Sequence, residues 1–345
     1  MWIIPLLSFS VFLYINNFQN QGILNDIRGD QSGFIKVENH LSAPITFTSD
    51  IGTVERRDRN QWVIRKCKQE FSGVIEQLPE GVKLELVQIP PGTFTMGSPE
   101  DELDRYDNEG PQHKVYLSGF WMGRYAITQA QWRAIVNNIP TIEQELNPDP
   151  SYFKGDHRPV EKVSWKDAVE FCARLSQYTK KRYVLPSEAQ WEYACRGGVI
   201  TPFHFGETLT TEIANYDGDY TYGEGPEGEY REETTIVGYF KMTNEFGLYD
   251  MHGNVDEWCA DPCYENYEGA PEDGLVWDKE QNDNCYHFYN DFLVNLLESD
   301  RQRIVRGGSW DIDPWGCRSA VRSSDYPGNQ DFSIGLRVVH LPSQD

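Results

Sequence analysis

Cys259 and Cys263 stand closest together of the seven cysteines, and a thiol pair at that spacing is the first place to look for a metal. Zinc takes four ligands, and no second Cys or His pair follows nearby, so the two read as structural. Seven cysteines in 345 residues are too few for a disulfide scaffold, and an odd number leaves at least one unpaired. Cys317, within Cys317-Arg318-Ser319-Ala320, is the other thiol of interest; cysteine in such a setting more often packs as a small hydrophobe than attacks a substrate. Around it the chain mixes acids, hydroxyls, amides and rings. Trp310, Asp311, Ile312, Asp313, Trp315, Val321, Ser323, Asp325, Tyr326, Asn329, Asp331 and Phe332 are the candidate contact residues of a surface formed by 310–333. Its rings would supply contact area and its Asp and Ser adaptable hydrogen bonds, for a protein or small-molecule ligand.

Charge narrows the partners. Thirty-one basic side chains against fifty-four acidic ones leave a formal charge of −23. Such a surface repels phosphate backbones and anionic lipid, which argues against nucleic acid and suits calcium or a cationic partner better. With 39% hydrophobic and 25% charged residues the chain reads as soluble and globular. Residues 1–17 are apolar, but Pro5 interrupts the run and no Lys or Arg precedes it, the first being Arg28. It is short for about 30 Å of hydrocarbon. As a signal or anchor it would export the chain; otherwise a cytoplasmic location is expected, and the run does not establish membrane association.

Residues 1–80 read as a separate N-terminal region of unassigned role, with Arg56-Arg57-Asp58-Arg59 and Arg65-Lys66 as a solvated basic face. From Val82 short apolar runs alternate with Gly, Pro, Asn and Asp. Leu84–Ile89 predicts a strand, Pro90-Pro91-Gly92 a turn, and Thr93–Met96 a second strand. Val115–Leu117 and Phe120–Met122 predict a further strand pair. Thr128-Gln129-Ala130-Gln131 is a capping box opening a first helix. Ser164-Trp165-Lys166-Asp167 opens a second, with Asp in the usual Glu position and Phe171, Cys172 and Leu175 inward. Ser187-Glu188-Ala189-Gln190 opens a third, with Trp191 and Ala194 inward, and Gly197 caps its end. Beyond Thr201 only Phe292–Leu297 reads as helical. The expected fold class is α+β, loop-rich, with short strands and about three helices.

The order of motifs resembles one family closely. Pro90-Pro91-Gly92-Thr93-Phe94-Thr95-Met96-Gly97-Ser98, Asn108-Glu109-Gly110-Pro111-Gln112-His113, Leu185-Pro186-Ser187-Glu188-Ala189-Gln190-Trp191-Glu192 and Gly247-Leu248-Tyr249-Asp250-Met251-His252-Gly253-Asn254-Val255 succeed one another. Arg306-Gly307-Gly308-Ser309-Trp310 and Ile334-Gly335-Leu336-Arg337 close the series. Together they resemble the sulfatase-modifying-factor, or formylglycine-generating-enzyme, family over roughly 81–342. The resemblance implies a C-type-lectin-like fold.

It also implies two calcium sites. The first would take Asp250, the carbonyls of Gly253 and Val255, and Glu257; the second Asn215, the Tyr216 carbonyl, Glu229 and the Arg231 carbonyl. Oxygen donors of this kind suit a hard cation. Family oxidases hold copper(I) between two cysteines and convert a substrate cysteine to formylglycine. Here the first of those positions is Ile312 and the second Cys317; Ser309 matches the active-site serine, and Asp256 stands where a Trp is usual. A hydrocarbon cannot replace a thiolate on a soft metal. Related iron-dependent sulfoxide synthases use histidines, but the seven here include no His-x-x-x-His pair.

The frame Arg306–Trp310, Cys317–Ala320 and Ile334-Gly335 is threaded with fourteen residues reachable by randomising the first two bases of an Asn codon. That resembles the variable proteins of diversity-generating retroelements. Two functions stay open: a non-catalytic, calcium-pinned binding domain with its ligand face at 310–333, and a copper-dependent oxidase acting through Cys317 and Ser309.

Overall fold

Polar residues at three turns start the three α-helices found among the described residues of the computed structural model, which are 44–58, 61–278 and 300–341. Helix α1 (Gln129–Asn138) begins at Thr128, whose side chain accepts from the Gln131 N–H while the Gln131 side chain accepts from the Thr128 N–H. The same reciprocal pair, Ser164 with Asp167, opens α2 (Trp165–Thr179), so the shorter acid still closes the box. Ser187 and Gln190 open α3 (Glu188–Arg196), which stops where Gly197 turns left-handed at φ 59°. Each helix buries its apolar stripe: Trp132 and Ile135, Phe171 and Leu175, Trp191 and Ala194 are all buried. Trp132 stacks on Phe171 with ring centroids 5.0 Å apart, tying α1 to α2. The predicted stretch 292–297 and residues 1–17 lie outside the described residues. No described helix is long and apolar enough to cross a membrane.

The strands are β1 (Ile45–Asp58), β2 (Gln61–Gln77), β3 (Lys83–Ile89), β4 (Gly92–Met96), β5 (His113–Leu117), β6 (Phe120–Gly123), β7 (Arg182–Val184) and β8 (Met242–Thr243). They continue with β9 (Asp256–Pro262), β10 (Arg303–Arg306), β11 (Ser323–Asp325), β12 (Ile334–Gly335) and β13 (Val339–Leu341). One seven-stranded sheet runs β7-β13-β6-β3-β2-β1-β8, a four-stranded sheet runs β11-β10-β9-β12, and β4 pairs with β5.

Two expectations change. The strands β5 and β6 are not partners: β5 lies against β4, and β6 sits between β3 and β13. Two residues separate them, and each takes another strand as its hydrogen-bond partner even though Val115, Leu117, Phe120 and Met122 pack into one core cluster. The boundary near residue 80 also moves, because β1 and β2 come from before it. The strand β2 continues the sheet by pairing Gly73–Gln77 with β3, so the domain's hydrogen bonding reaches back at least to residue 45. Arg56 and Arg65 of the basic patch lie at the surface, paired with Glu224 and Glu55.

The four-stranded sheet positions the glycine loop and Asp256. Ile334 of β12 pairs with Asp256 at the start of β9, and Arg306 ends β10 beside Glu257. Asp256 and the Gly307-Gly308-Ser309-Trp310 loop are therefore brought to one edge.

Candidate functional site

At that edge the backbone crosses a thiol. A Cβ added to Gly308, whose φ is 72°, would lie 2.5 Å from the Cys317 sulfur, so only glycine lets the loop pass. The Gly308 N–H donates to Asp256 Oδ1 at 2.9 Å, the Ser309 hydroxyl to Asp311 Oδ1 at 2.7 Å, and the Trp310 N–H to the Asn254 carbonyl at 3.1 Å. Burial pushes the Asp256 carboxyl up to about 7, helped by Asp311, Glu257 and Asp331 and opposed by the Gly308 N–H.

The residues present do not fit copper(I). Cys317 is wholly buried, and burial, with Asp256, Asp313 and Asp311 facing it, pushes its thiol well above the ordinary range. A thiol held protonated is a weak nucleophile, and one sulfur alone cannot supply the two-thiolate coordination that copper(I) favours. Ile312 is partly exposed and rests its methyl against Gly316, where it offers carbon only. The other buried thiol here, Cys195, lies 3.8 Å from His252 Nε2 and 3.7 Å from the Ser319 hydroxyl. Both nitrogens of His252 are engaged: Nδ1 donates to the Cys317 carbonyl at 2.7 Å and Nε2 accepts from the His204 N–H at 3.0 Å. Burial holds that ring neutral, its pKa lowered to about 4. Among the described residues no group of three or more His, Cys, Asp or Glu could hold a metal. Cys259 is buried in the core and Cys263 half-buried, both as free thiols.

The two calcium sites differ. At the first, Asp250 accepts from the Gly238 N–H at 2.7 Å, and burial, with Glu257 nearby, pushes it up to about 6. Glu257, expected as a ligand, is instead the counter-ion of Arg337: its oxygens accept from the guanidinium at 2.7–3.0 Å and from the Trp191 indole at 2.8 Å. Those contacts use most of its lone pairs, so Glu257 does not fit as a ligand, while Asp250 and the buried Gly253 and Val255 remain beside it. At the second, Asn215 Oδ1 is buried with no hydrogen-bond partner, while its amide donates to the Glu233 carbonyl and Asn254 Oδ1. An orphaned buried oxygen is what a cation would satisfy. Tyr216 is buried next to it, but the Glu229 side chain is mostly exposed and paired with Arg231 at 3.1 Å.

The contact residues expected on 310–333 divide. Val321 and Trp310 are buried, which corrects their expected surface position: the Val321 carbonyl caps Arg306, and Trp310 wedges between rings. Ile312, Ser323, Tyr326, Asn329 and Phe332 are exposed, and Asp311, Asp313, Trp315, Asp325 and Asp331 half-buried. Trp310 meets Phe332 at 5.7 Å, Phe153 at 5.2 Å and Tyr230 at 6.2 Å between centroids, and Tyr152 meets both Phe153 and Phe332. Tyr152, Phe153 and Tyr230 were not expected here. They come from distant loops with no local pattern to mark them.

Beneath this face runs a row of buried arginines. Arg306 pairs with Glu192, Arg318 with Glu109 at 2.6 Å and Glu102 at 2.5 Å, Arg322 with Glu188 at 2.7 Å, and Arg337 with Glu257 at 2.7 Å.

A loop-rich α+β fold of this topology, with the glycine loop over a buried cysteine, is the C-type-lectin-like fold of the sulfatase-modifying factors. The chain belongs to that family: the sulfatase-modifying factor enzyme 1-like domain matches residues 72–341. It is 27% identical to the formylglycine-generating enzyme of Mus musculus over 313 residues, covering 75% of this chain and 76% of that protein. The structure of PvdO from Pseudomonas aeruginosa is similar at 32% identity and a TM-score of 0.62, covering 78% of this chain and 98% of PvdO. Treponema denticola variable protein 1 shares the fold at 22% identity and a TM-score of 0.57, covering 78% and 99%.

Proposed function

We propose that this chain is a ligand-binding member of the family without oxidase chemistry, and that its binding face is the surface carrying residues 310–333. The observation that carries the reading is the pair Ile312 and Cys317: one position has no sulfur, which leaves the other, packed beneath Gly308, without a partner thiolate. A soft monovalent metal gains little from that pair. What remains is a face whose exposed side chains mostly contact one another, as Asn329 does Asp325 and Phe332 does Tyr152. The test is direct: purified protein with copper(I) and a Cys-x-Pro-x-Arg peptide should form no aldehyde, and stoichiometric aldehyde would overturn the reading.

The segment also has the division of labour a diversified surface requires. Arg306, Arg318 and Arg322 anchor it inward while Ile312, Ser323, Tyr326, Asn329 and Phe332 face solvent. Diversification by a retroelement would leave an imperfect copy of the coding stretch for 306–337 and a reverse transcriptase gene in the flanking DNA. A flank lacking both would remove it. Calcium enters the same proposal as a loop clamp, with Asn215 Oδ1 the oxygen most in need of a cation.

A further inference from the structure

The ring cluster and the carboxylates of the binding face occupy the same place, and that combination selects a ligand chemistry. Tyr152 is 67% and Phe332 40% exposed, and Trp310 lies behind them with Phe153 and Tyr230 on either flank. Ring faces carry negative potential. Asp256 begins β9 beneath the Trp310 loop; Gly308 holds its Oδ1, and no described donor takes its Oδ2. Asp311 accepts from the Ser309 hydroxyl one residue beyond Gly308, and Asp331 accepts from the Ser333 hydroxyl while the Asp256 N–H donates to the Ser333 carbonyl, so both acids stand beside Asp256. Two nearby arginines are committed elsewhere, Arg231 to Glu229 and Arg158 to Glu233, while Lys162, whose backbone N–H donates to the Asp331 carbonyl, lines a cleft with Asp167 and Gln330. The face is thus aromatic and acidic, and among the described residues no ion pair neutralises Asp256, Asp311 or Asp331.

We propose that this face binds an arginine side chain presented by a protein partner, the guanidinium lying against the exposed Phe332 and Tyr152 rings in front of Trp310 and pairing with Asp256 and Asp311. Arginine fits better than lysine because a planar guanidinium can stack on a ring while its edge donates to a carboxylate. A protein source fits better than a free amine because the exposed contacts spread over several loops, from Tyr152 to Tyr326. The chain's charge of −23 would steer such a basic partner from a distance. The inference rests on the binding-face reading above.

Calorimetry on the full chain separates the outcomes. The probes are a capped Gly-Gly-Arg-Gly-Gly-Arg peptide, its citrulline and lysine counterparts, and free arginine amide. The arginine peptide should bind at least tenfold tighter than the citrulline peptide, which keeps the shape and loses the charge, and tighter than arginine amide. Binding should weaken as salt rises from low to physiological concentration. Asp256→Asn keeps an acceptor for the Gly308 N–H, and Phe332→Ala removes a partly exposed ring; each should cost tenfold or more in affinity while the circular-dichroism spectrum of the folded chain stays that of the parent. Equal binding of the arginine and citrulline peptides, or no loss in both variants, would overturn the inference. Preference for free arginine amide would overturn the protein source. Aldehyde formation in the copper assay would instead bring down the binding-module reading itself, so the two failures are told apart.

Discussion

Within one stretch of chain, 306–337, two regions obey different rules. The arginine floor is buried, paired and intolerant; the face above it is exposed and almost free of hydrogen bonds to the core. Arg306, Arg318, Arg322 and Arg337 are each 5% exposed or less, and every one meets a carboxylate from an earlier part of the chain. Ile312, Tyr326 and Phe332 are 37–55% exposed. The comparison teaches how a chain with little regular structure can hold exposed loops: buried ion pairs fasten them from below, so the most outward side chains carry little of the fold's stability.

The strongest way to break the comparison is at the floor. Arg318→Met should cost about 3–5 kcal/mol in urea unfolding, because Glu102 and Glu109 would be left buried without their cation. A loss below about 1 kcal/mol would mean the floor is not what holds the loops.

Titration sharpens the rule that partner, not burial, sets the charge. Glu188 and Asp261 are neighbours, the Glu188 N–H donating to Asp261 Oδ2 at 2.8 Å. Burial acts on both, yet Arg322 and Arg306 hold Glu188 below its ordinary value, while Asp261, facing Glu188, is pushed up to about 7. A carboxyl raised in the folded state stabilises below its unfolded pKa, and that contribution is lost as pH climbs through the folded value. The fall in stability between pH 5 and pH 8 should therefore be about 2–3 kcal/mol smaller in Asp261→Asn than in the parent. Glu188 works in the opposite sense, its contribution disappearing only on acidification below the usual carboxylate range.

Calcium offers a smaller effect at the edge of the face. Millimolar calcium should stabilise the parent by about 2 kcal/mol, as a ligand at tens of times its dissociation constant does. Asn215→Ala should abolish that gain in a thermal melt, whereas an equal gain in the variant would remove Asn215 from the site. Smallest of all, Tyr326→Ala and Ser323→Ala should each change stability by less than about 0.5 kcal/mol, the ordinary cost of an exposed substitution.

The parts of this molecule that could be read in advance are those whose cause is local. Thr128, Ser164 and Ser187 start helices because a side-chain oxygen can reach an amide three residues on, and Gly197 ends one because it tolerates positive φ. The missing sulfur at Ile312 was equally plain, since ligand chemistry depends on residue type. Contacts between distant segments were not legible. Nothing near Glu257 announces that Arg337 will claim its oxygens, and nothing near Tyr152, Phe153 or Tyr230 places them around Trp310. Short-range spacing thus settles where helices start, and the order of motifs shows which family the chain resembles. The choice of counter-ion for each buried carboxylate, and the joining of rings and acids into one face, wait on the packing of the sheets. Both depend on through-space distances of a few ångströms between residues that are tens to hundreds of positions apart in the chain.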